Sequence, residues 1–344
     1  MVFVLSVGSS LSWIVSQVQP DVFTSIAFLC ITVILADRKE KKANFSLYAL
    51  FFVSVAVHLS HPVLMVASLV FVFLTSRVLI DKTLTSIKKV VTLLILSVLS
   101  IVVMLTPLHK SKHIFFMGSL LEKGVLKKYL DDNCQVKSYK LCVYKDSLPA
   151  DANVFWWDAN SPLYKTGDWK SVRPEFNEII HNIFTTPAYT KLYATATVKQ
   201  ALSQAVTFNI GDGNQSFPEG SYVNKMIVAY FPNELNSFNA STQNKEQILD
   251  KVAPANKLFA ILVIVCLLAM PYIFARWRNL STEMKLLLVI CLTGTLLNCF
   301  DCAAFGIVNG RYGCKMIWLI PFGVLVCVAM NKGDSKIQPI NLSD

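Results

Sequence analysis

The feature that most constrains this chain is a series of long apolar runs, each bounded by charge or by turn residues. On the order of 17 to 25 apolar residues cross a bilayer as a helix. Runs of this kind stand at 1–18, 21–36, 62–80, 90–107, 257–275, 286–308 and 316–330, with a shorter one at 45–58. Inside hydrocarbon a backbone satisfies its polar groups only as a helix or a closed barrel, and continuous apolar runs of this length select the helix. The 344 residues are 54% hydrophobic and 16% charged, against roughly 25% charged in soluble chains. The expected fold is an α-helical polytopic membrane protein of about eight crossings, with one mixed, mainly α extracytoplasmic domain. Disorder, collagen-like repeats and small disulfide scaffolds are excluded by the same composition, with 13 Gly, 13 Pro and 9 Cys.

The net charge of +10 suggests a polyanionic partner until it is partitioned. Residues His109 to Asn256 hold 16 Lys/Arg against 14 Asp/Glu, so the apolar runs and their connections keep 16 and 8. An excess in short connections marks the cytoplasmic face and not nucleic acid. Asp37-Arg38-Lys39-Glu40-Lys41-Lys42 and the stretch holding Asp81, Lys82, Lys88 and Lys89 both read as inside. An even number of crossings must separate them, so 45–58 and 62–80 form a hairpin tipped by His58-Leu59-Ser60-His61-Pro62. Its first arm covers only about 21 Å of a roughly 30 Å core. An interfacial helix plus one span is the alternative, and it would place Lys82, Lys88 and Lys89 outside.

The predicted organisation is a bundle of about five helices over 1–107, an extracytoplasmic domain over 108–256, about three helices over 257–331 and a tail over 332–344. Both termini then lie in the cytoplasm, with the chain in the plasma (inner) membrane and the lipid bilayer as its first partner. A cleaved signal peptide over 1–18 is the rival reading, but no Lys or Arg precedes the run and no small-x-small site precedes Gln19. An apolar run beginning at Met1 leaves open that further helices precede it.

Within 108–256, Phe115 to Leu130 has helical apolar spacing with Lys123, Lys127 and Lys128 on another face, which predicts an amphipathic helix. Ile179 to Thr207 predicts one or two helices interrupted at Thr186-Pro187. Trp156 to Pro162, Gly211 to Asn214 and Phe217 to Gly220 carry turn chemistry. Cys134 and Cys142, the domain's two cysteines, are a disulfide candidate outside the cytoplasm, with two free thiols as the alternative. The other seven fall in or beside apolar runs, and the Cys299-x-x-Cys302 pair lacks a second pair of ligands.

Polar residues collect where the three outer turns are expected. Asp21 follows Gln19-Pro20 at the first, His58 and His61 stand at the second, and Arg311, Tyr312 and Lys315 at the third. Asp21 reads either as the N-cap of the next helix or as a general base or metal ligand. His58 and His61, three apart, could share a phosphate or a metal, or could simply end one helix and start the next. Arg311 and Lys315 either anchor headgroups or capture a phosphate. Asp301 lies within an apolar run, where an ionisable group is a functional candidate and pairing with Arg311 is its structural explanation. No G-x-S-x-G, H-E-x-x-H, Walker A or G-x-G-x-x-G pattern occurs. No strong metal-ligand motif occurs either, so the cofactor stays unknown and a divalent metal remains compatible with the sequence.

Gly310-Arg311-Tyr312 leading into Trp318-Leu319-Ile320-Pro321, together with many helices and a large external domain, resembles the later part of GT-C-type glycosyltransferases. These enzymes move sugars from polyprenyl-phosphate carriers to extracytoplasmic acceptors. The resemblance implies that Arg311 binds the carrier phosphate, with Tyr312, Lys315 and His61 beside it. Asp21 or His58 would take the acceptor's proton, and Trp156, Trp157 and Trp169 would offer sugar-stacking faces or, alternatively, pack in the domain core. The family places its catalytic acid in a long first external loop, where this chain has only Gln19-Pro20-Asp21. A membrane-anchored binding or assembly subunit and a lipid-linked substrate transporter are the alternatives.

Overall fold

The computed structural model describes residues 1–17, 19–37, 45–80 and 86–331. The basic residues predicted to face the cytoplasm at 38–42 and 81–82, and the tail 332–344, lie outside the described residues. The described residues are 78% helical, with no strand among them. In order, the helices are α1 (Val2–Gly8), α2 (Leu11–Ser16), α3 (Val22–Ala36), α4 (Phe45–Ala56), α5 (His61–Leu79) and α6 (Ile87–Glu122). Then come α7 (Val125–Asn133), α8 (Ala152–Trp157), α9 (Pro162–Thr166), α10 (Arg173–Thr185), α11 (Pro187–Val206), α12 (Tyr222–Tyr230) and α13 (Leu235–Asn239). The last are α14 (Ile248–Ala275), α15 (Thr282–Phe305), α16 (Gly310–Ile317) and α17 (Leu319–Asn331).

Among the described residues five segments are long and apolar enough to cross a membrane: α5, α6, α14, α15 and the consecutive pair α16–α17. The apolar helices α3 and α4 have 15 and 12 residues, or about 22 and 18 Å of length. The run predicted as a first span over 1–18 is broken at Ser9-Ser10 into two short helices. The cause lies in the two hydroxyls: Ser9 Oγ donates back to the Leu5 carbonyl, and Ser10 Oγ donates 2.7 Å to the Cys314 carbonyl of α16, a tertiary tie that a continuous helix would compete with.

The two helices that flank the middle of the chain are longer than the runs that announced them. α6 has 36 residues, about 54 Å, and so stands well beyond a roughly 30 Å core. It passes through Pro107 without stopping and ends at Gly124, whose φ of 69° suits a glycine cap. The single amphipathic helix expected over Phe115–Leu130 is therefore the end of α6 and the start of α7. Lys123, expected on its wetted face, is buried and donates to Ser119 Oγ at 2.7 Å, and burial pushes its ammonium down to about 8. The break at Thr186-Pro187 stands as expected, between α10 and α11.

α15 is the centre of the bundle. Its apolar window is 72% buried, against 22% for α6, and it packs against α3, α5, α11, α16 and α17. One core lies among α3, α4, α5, α15 and α17, filled by Phe28, Ile31, Phe51, Leu64, Ile290 and Leu319. A second core joins the end of α6 to α7, α8 and α10 through Ile114, Leu126, Phe155 and Phe176, and Ile307 from the α15–α16 turn is part of it. Cys134 and Cys142 form a disulfide on the edge of this second core.

The bundle has two distinct ends. At one, Lys89 Nζ donates to the Ile34 carbonyl at 2.9 Å and Trp277 Nε1 to the Leu79 carbonyl at 3.0 Å, gathering the ends of α3, α5 and α14 with the start of α6. At the other, the turn before α3, the α4–α5 turn and the α15–α16 turn meet, and residues 204–213 lie across them.

Candidate functional site

The second end holds the polar residues that the sequence singled out. Asp21 begins α3 without capping it: no backbone N–H accepts the role of partner to its carboxylate. The side chain turns instead toward α16, with Oδ2 3.4 Å from Arg311 Nε and Oδ1 3.6 Å from Lys315 Nζ. Asp21 and Lys315 are 2% and 1% exposed, so both charges are withdrawn from water and depend on each other. Arg311, on the rim, is about a third exposed. The Tyr312 ring lies against both cations, 5.1 Å from Arg311 Cζ and 5.5 Å from Lys315 Nζ.

His58 and His61 stack on each other with centroids 4.7 Å apart. Their hydrogen bonds settle what each can do. His61 is fully buried, and its Nδ1 must donate to the Ser54 carbonyl at 2.8 Å because a carbonyl only accepts. Its Nε2 then accepts from Thr24 Oγ1 at 2.7 Å. Both nitrogens are occupied, so His61 pins α3 to α4 and is not free to bind the phosphate assigned to it from the sequence. His58 Nδ1 accepts from the Ser60 N–H at 3.3 Å, which leaves its proton on Nε2. Burial, with Lys315 adding to it, pulls the His58 imidazole down to about 4. His58 is therefore a neutral imidazole with its Nδ1 lone pair engaged by Ser60 and a proton to donate at Nε2. Lys315, Asp21 and Arg311 all lie within electrostatic reach of it, so the three turns converge on one cluster.

Asp301 does not pair with Arg311. Neither of its buried oxygens has a hydrogen-bond partner among the described residues, and Lys315 is the cation whose field it shares. Among the described residues no three His, Cys, Asp or Glu side chains converge as a metal site.

The position of Arg311 is set by groups the sequence reading passed over. Asn309 caps α16, its Oδ1 accepting from the Arg311 N–H at 2.9 Å. Gln204 holds Asn309 from both sides, donating to its carbonyl at 3.0 Å and accepting from its N–H at 2.9 Å. Asp212 Oδ2 accepts from the Gly310 N–H at 2.6 Å. The two glycines of Gly310-Arg311-Tyr312-Gly313 explain themselves here: a Cβ on Gly310 would stand 2.6 Å from the Asn209 carbonyl oxygen, and one on Gly313 2.1 Å from that of Thr207. Asn before a helix and Asp between two glycines are legible signals for a cap and a turn. That they act on each other is not.

Of the three tryptophans, Trp156 is buried against Gly118 with its Nε1 donating 3.0 Å to the Ile114 carbonyl, so neither ring face is open. Trp157 is 58% exposed and lies 6.3 Å from the Trp169 ring. Trp318 packs against Phe322, and Pro321 sits in the first turn of α17, where its missing N–H leaves no bond unmade. The chain matches no family profile, no curated protein and no solved structure.

Proposed function

We propose that the polar end of the bundle faces the extracytoplasmic side, opposite two cytoplasmic termini, and is the active site of a glycosyltransferase using a polyprenyl-phosphate sugar donor. The observation that carries this reading is the buried ion triad, in which one carboxylate, Asp21, stands between the two cations Arg311 and Lys315. An acceptor hydroxyl attacks the anomeric carbon while the bond from that carbon to the phosphate oxygen breaks, and the electron pair leaves with the phosphate. Arg311 and Lys315 stabilise the charge that develops there. Drawn toward the phosphate, they release Asp21 to take the acceptor's proton. Tyr312 keeps both cations aligned through its ring face, and Trp157 with Trp169 offers an exposed aromatic surface for a sugar acceptor. Asp21 thus stands in for the acid that GT-C-type enzymes carry in a longer first loop.

The test is sugar transfer by the purified full chain in nanodiscs, offered a panel of polyprenyl-phosphate sugars. Asp21→Asn should lower transfer by about 10² to 10⁴, the usual worth of a general base, and Arg311→Lys should lower it by removing the bidentate fork. Undiminished transfer in both variants would sink these roles. No transfer by the unaltered chain with any donor would favour a membrane-anchored assembly subunit.

A further inference from the structure

The charged groups of the polar end leave no cationic surplus before any ligand arrives. Arg311 and Lys315 supply two cations, against the carboxyl groups of Asp21, Asp301 and, beside Gly310, Asp212. The imidazoles add nothing, since the Ser60 N–H claims the His58 lone pair and full burial disfavours a charge on His61. Asp301 differs from Asp21 in its contacts. Asp21 meets both cations within ion-pair distance, whereas Asp301, 7% exposed, meets none among the described residues and has no well-formed hydrogen bond, with the Ser60 side chain as its near polar neighbour. The groups facing it are Lys315 from α16 and Ser60 from the α4–α5 turn, with Cys302 beside it on α15 and Asp21 across the same lysine. Buried polar groups are nearly always bonded, and an orphan needs a reason.

A phosphate-bearing ligand gives one. It would bring a further negative charge to cations that carboxyl groups already match, and surroundings of low polarity oppose any such excess. We propose that Asp301 offsets the added charge by taking one proton from solvent as the phosphodiester binds and returning it when the ligand leaves. The step moves one proton and breaks no other bond. Asp301 is a positioning residue in this role: it sets the charge that Lys315 can offer the ligand. The inference rests on the phosphate reading of the site.

The test uses the full chain in nanodiscs and two probes whose single charge does not titrate near neutrality: farnesyl methyl phosphodiester and, as the headgroup alone, dimethyl phosphate. Calorimetry in buffers of different ionisation heat should show uptake of one proton per bound ligand. Affinity should rise about tenfold for each unit of acidification while that proton is linked. Asp301→Asn should bind with no uptake and with a flat pH dependence. Uptake with the lipid probe only assigns the site to a lipid headgroup, and equal uptake with dimethyl phosphate assigns it to the phosphodiester itself. Both results support Asp301. Binding without uptake by the unaltered chain, a measurement that does not depend on the variant folding, overturns the inference and leaves the phosphate reading standing. No binding of either probe overturns both.

Discussion

Where α3, α5 and α14 end and α6 begins, cations are exposed or half-buried and lean on neighbours: Arg77 stands 4.7 Å over the Phe73 ring, Arg276 4.4 Å over Tyr272, and Lys89 donates to helix-end carbonyls. At the other end, Lys315 is 1% exposed and faces two carboxyl groups. The first arrangement is snorkelling, in which an apolar stem crosses greasy surface and the charge stays wet. The second withdraws charge from water and holds it with opposite charge, which is stable only while the set is complete. The contrast teaches that basic residues in a membrane chain carry different information according to what surrounds them. One end holds its cations singly against rings and carbonyls, and the other holds them in a cluster with carboxyl groups.

The largest expected effect breaks that contrast at its buried side. Lys315→Met keeps the length of the stem but strands Asp21 and Asp301 without their shared cation, and removing one member of a buried pair costs about 3 to 5 kcal/mol. Unfolding in detergent followed by helical circular dichroism should show the loss. Adding Asp21→Asn to Lys315→Met should recover part of it, since the stranded charge is then gone. A loss within about 1 kcal/mol in the single variant would place Lys315 among the snorkelling residues.

Acid should act on the same end next. The His58 imidazole titrates at about 4 in the folded chain, below its ordinary value of about 6.5. Between those values the unfolded chain binds a proton that the folded chain refuses, so stability falls as pH drops through this window. The loss is on the order of 2 kcal/mol once the partial exposure of the ring is allowed for. His58→Asn should flatten this part of the stability profile, and an unchanged profile would remove His58 from the cluster.

The second core allows a comparison of similar size. The Cys134–Cys142 bridge closes a short loop with a separation of 8, for which the chain-entropy estimate is about 2.5 kcal/mol. Reduction should lower the unfolding midpoint of the region around α7 and leave the buried triad intact, as read by proteolysis of the two regions. Gly313→Ala works in the opposite sense, spreading damage between them. Its Cβ would meet the Thr207 carbonyl oxygen at 2.1 Å, so residues 207–213 must lift from α16 at about 1 to 3 kcal/mol. Proteolysis near Gly211 should speed up in that variant, and an unaltered digest would show that the segment is not seated on α16.

Much of this arrangement is legible in the sequence because membrane chains restrict it so severely. The long runs gave α5, α6, α14 and α15, and Thr186-Pro187 gave the α10–α11 break. The site was legible as a list of misplaced charges, Asp21, His58, His61, Arg311 and Lys315, since polar residues beside hydrocarbon stand out. What each side chain does was not legible. His61 spends both nitrogens on Ser54 and Thr24, and His58 gives its lone pair to Ser60. These bonds depend on how α3, α4 and α5 pack, which periodicity does not encode. The same holds for Ser9-Ser10, whose hydroxyls break an apolar run only because α16 stands beside it. Lys123 looked solvent-facing by spacing, and tertiary packing placed it against Ser119.

The smallest expected effect lies at the snorkelling end and sharpens the comparison from that side. Lys89 is half-buried and donates to the Ile34 and Asp37 carbonyls, so it satisfies acceptors that the end of α3 leaves open. Removing it as Lys89→Ala exposes those carbonyls to water, which can replace the bonds, and the net cost lies at the low end of about 0.5 to 1.5 kcal/mol for each. Its charge has no buried carboxyl group to abandon, so the cost should also shrink with added salt, unlike that of Lys315→Met. Unfolding measured at low and high ionic strength separates the two lysines. If Lys89→Ala costs as much as Lys315→Met and the loss ignores salt, both ends hold charge in the same way and the distinction between them disappears.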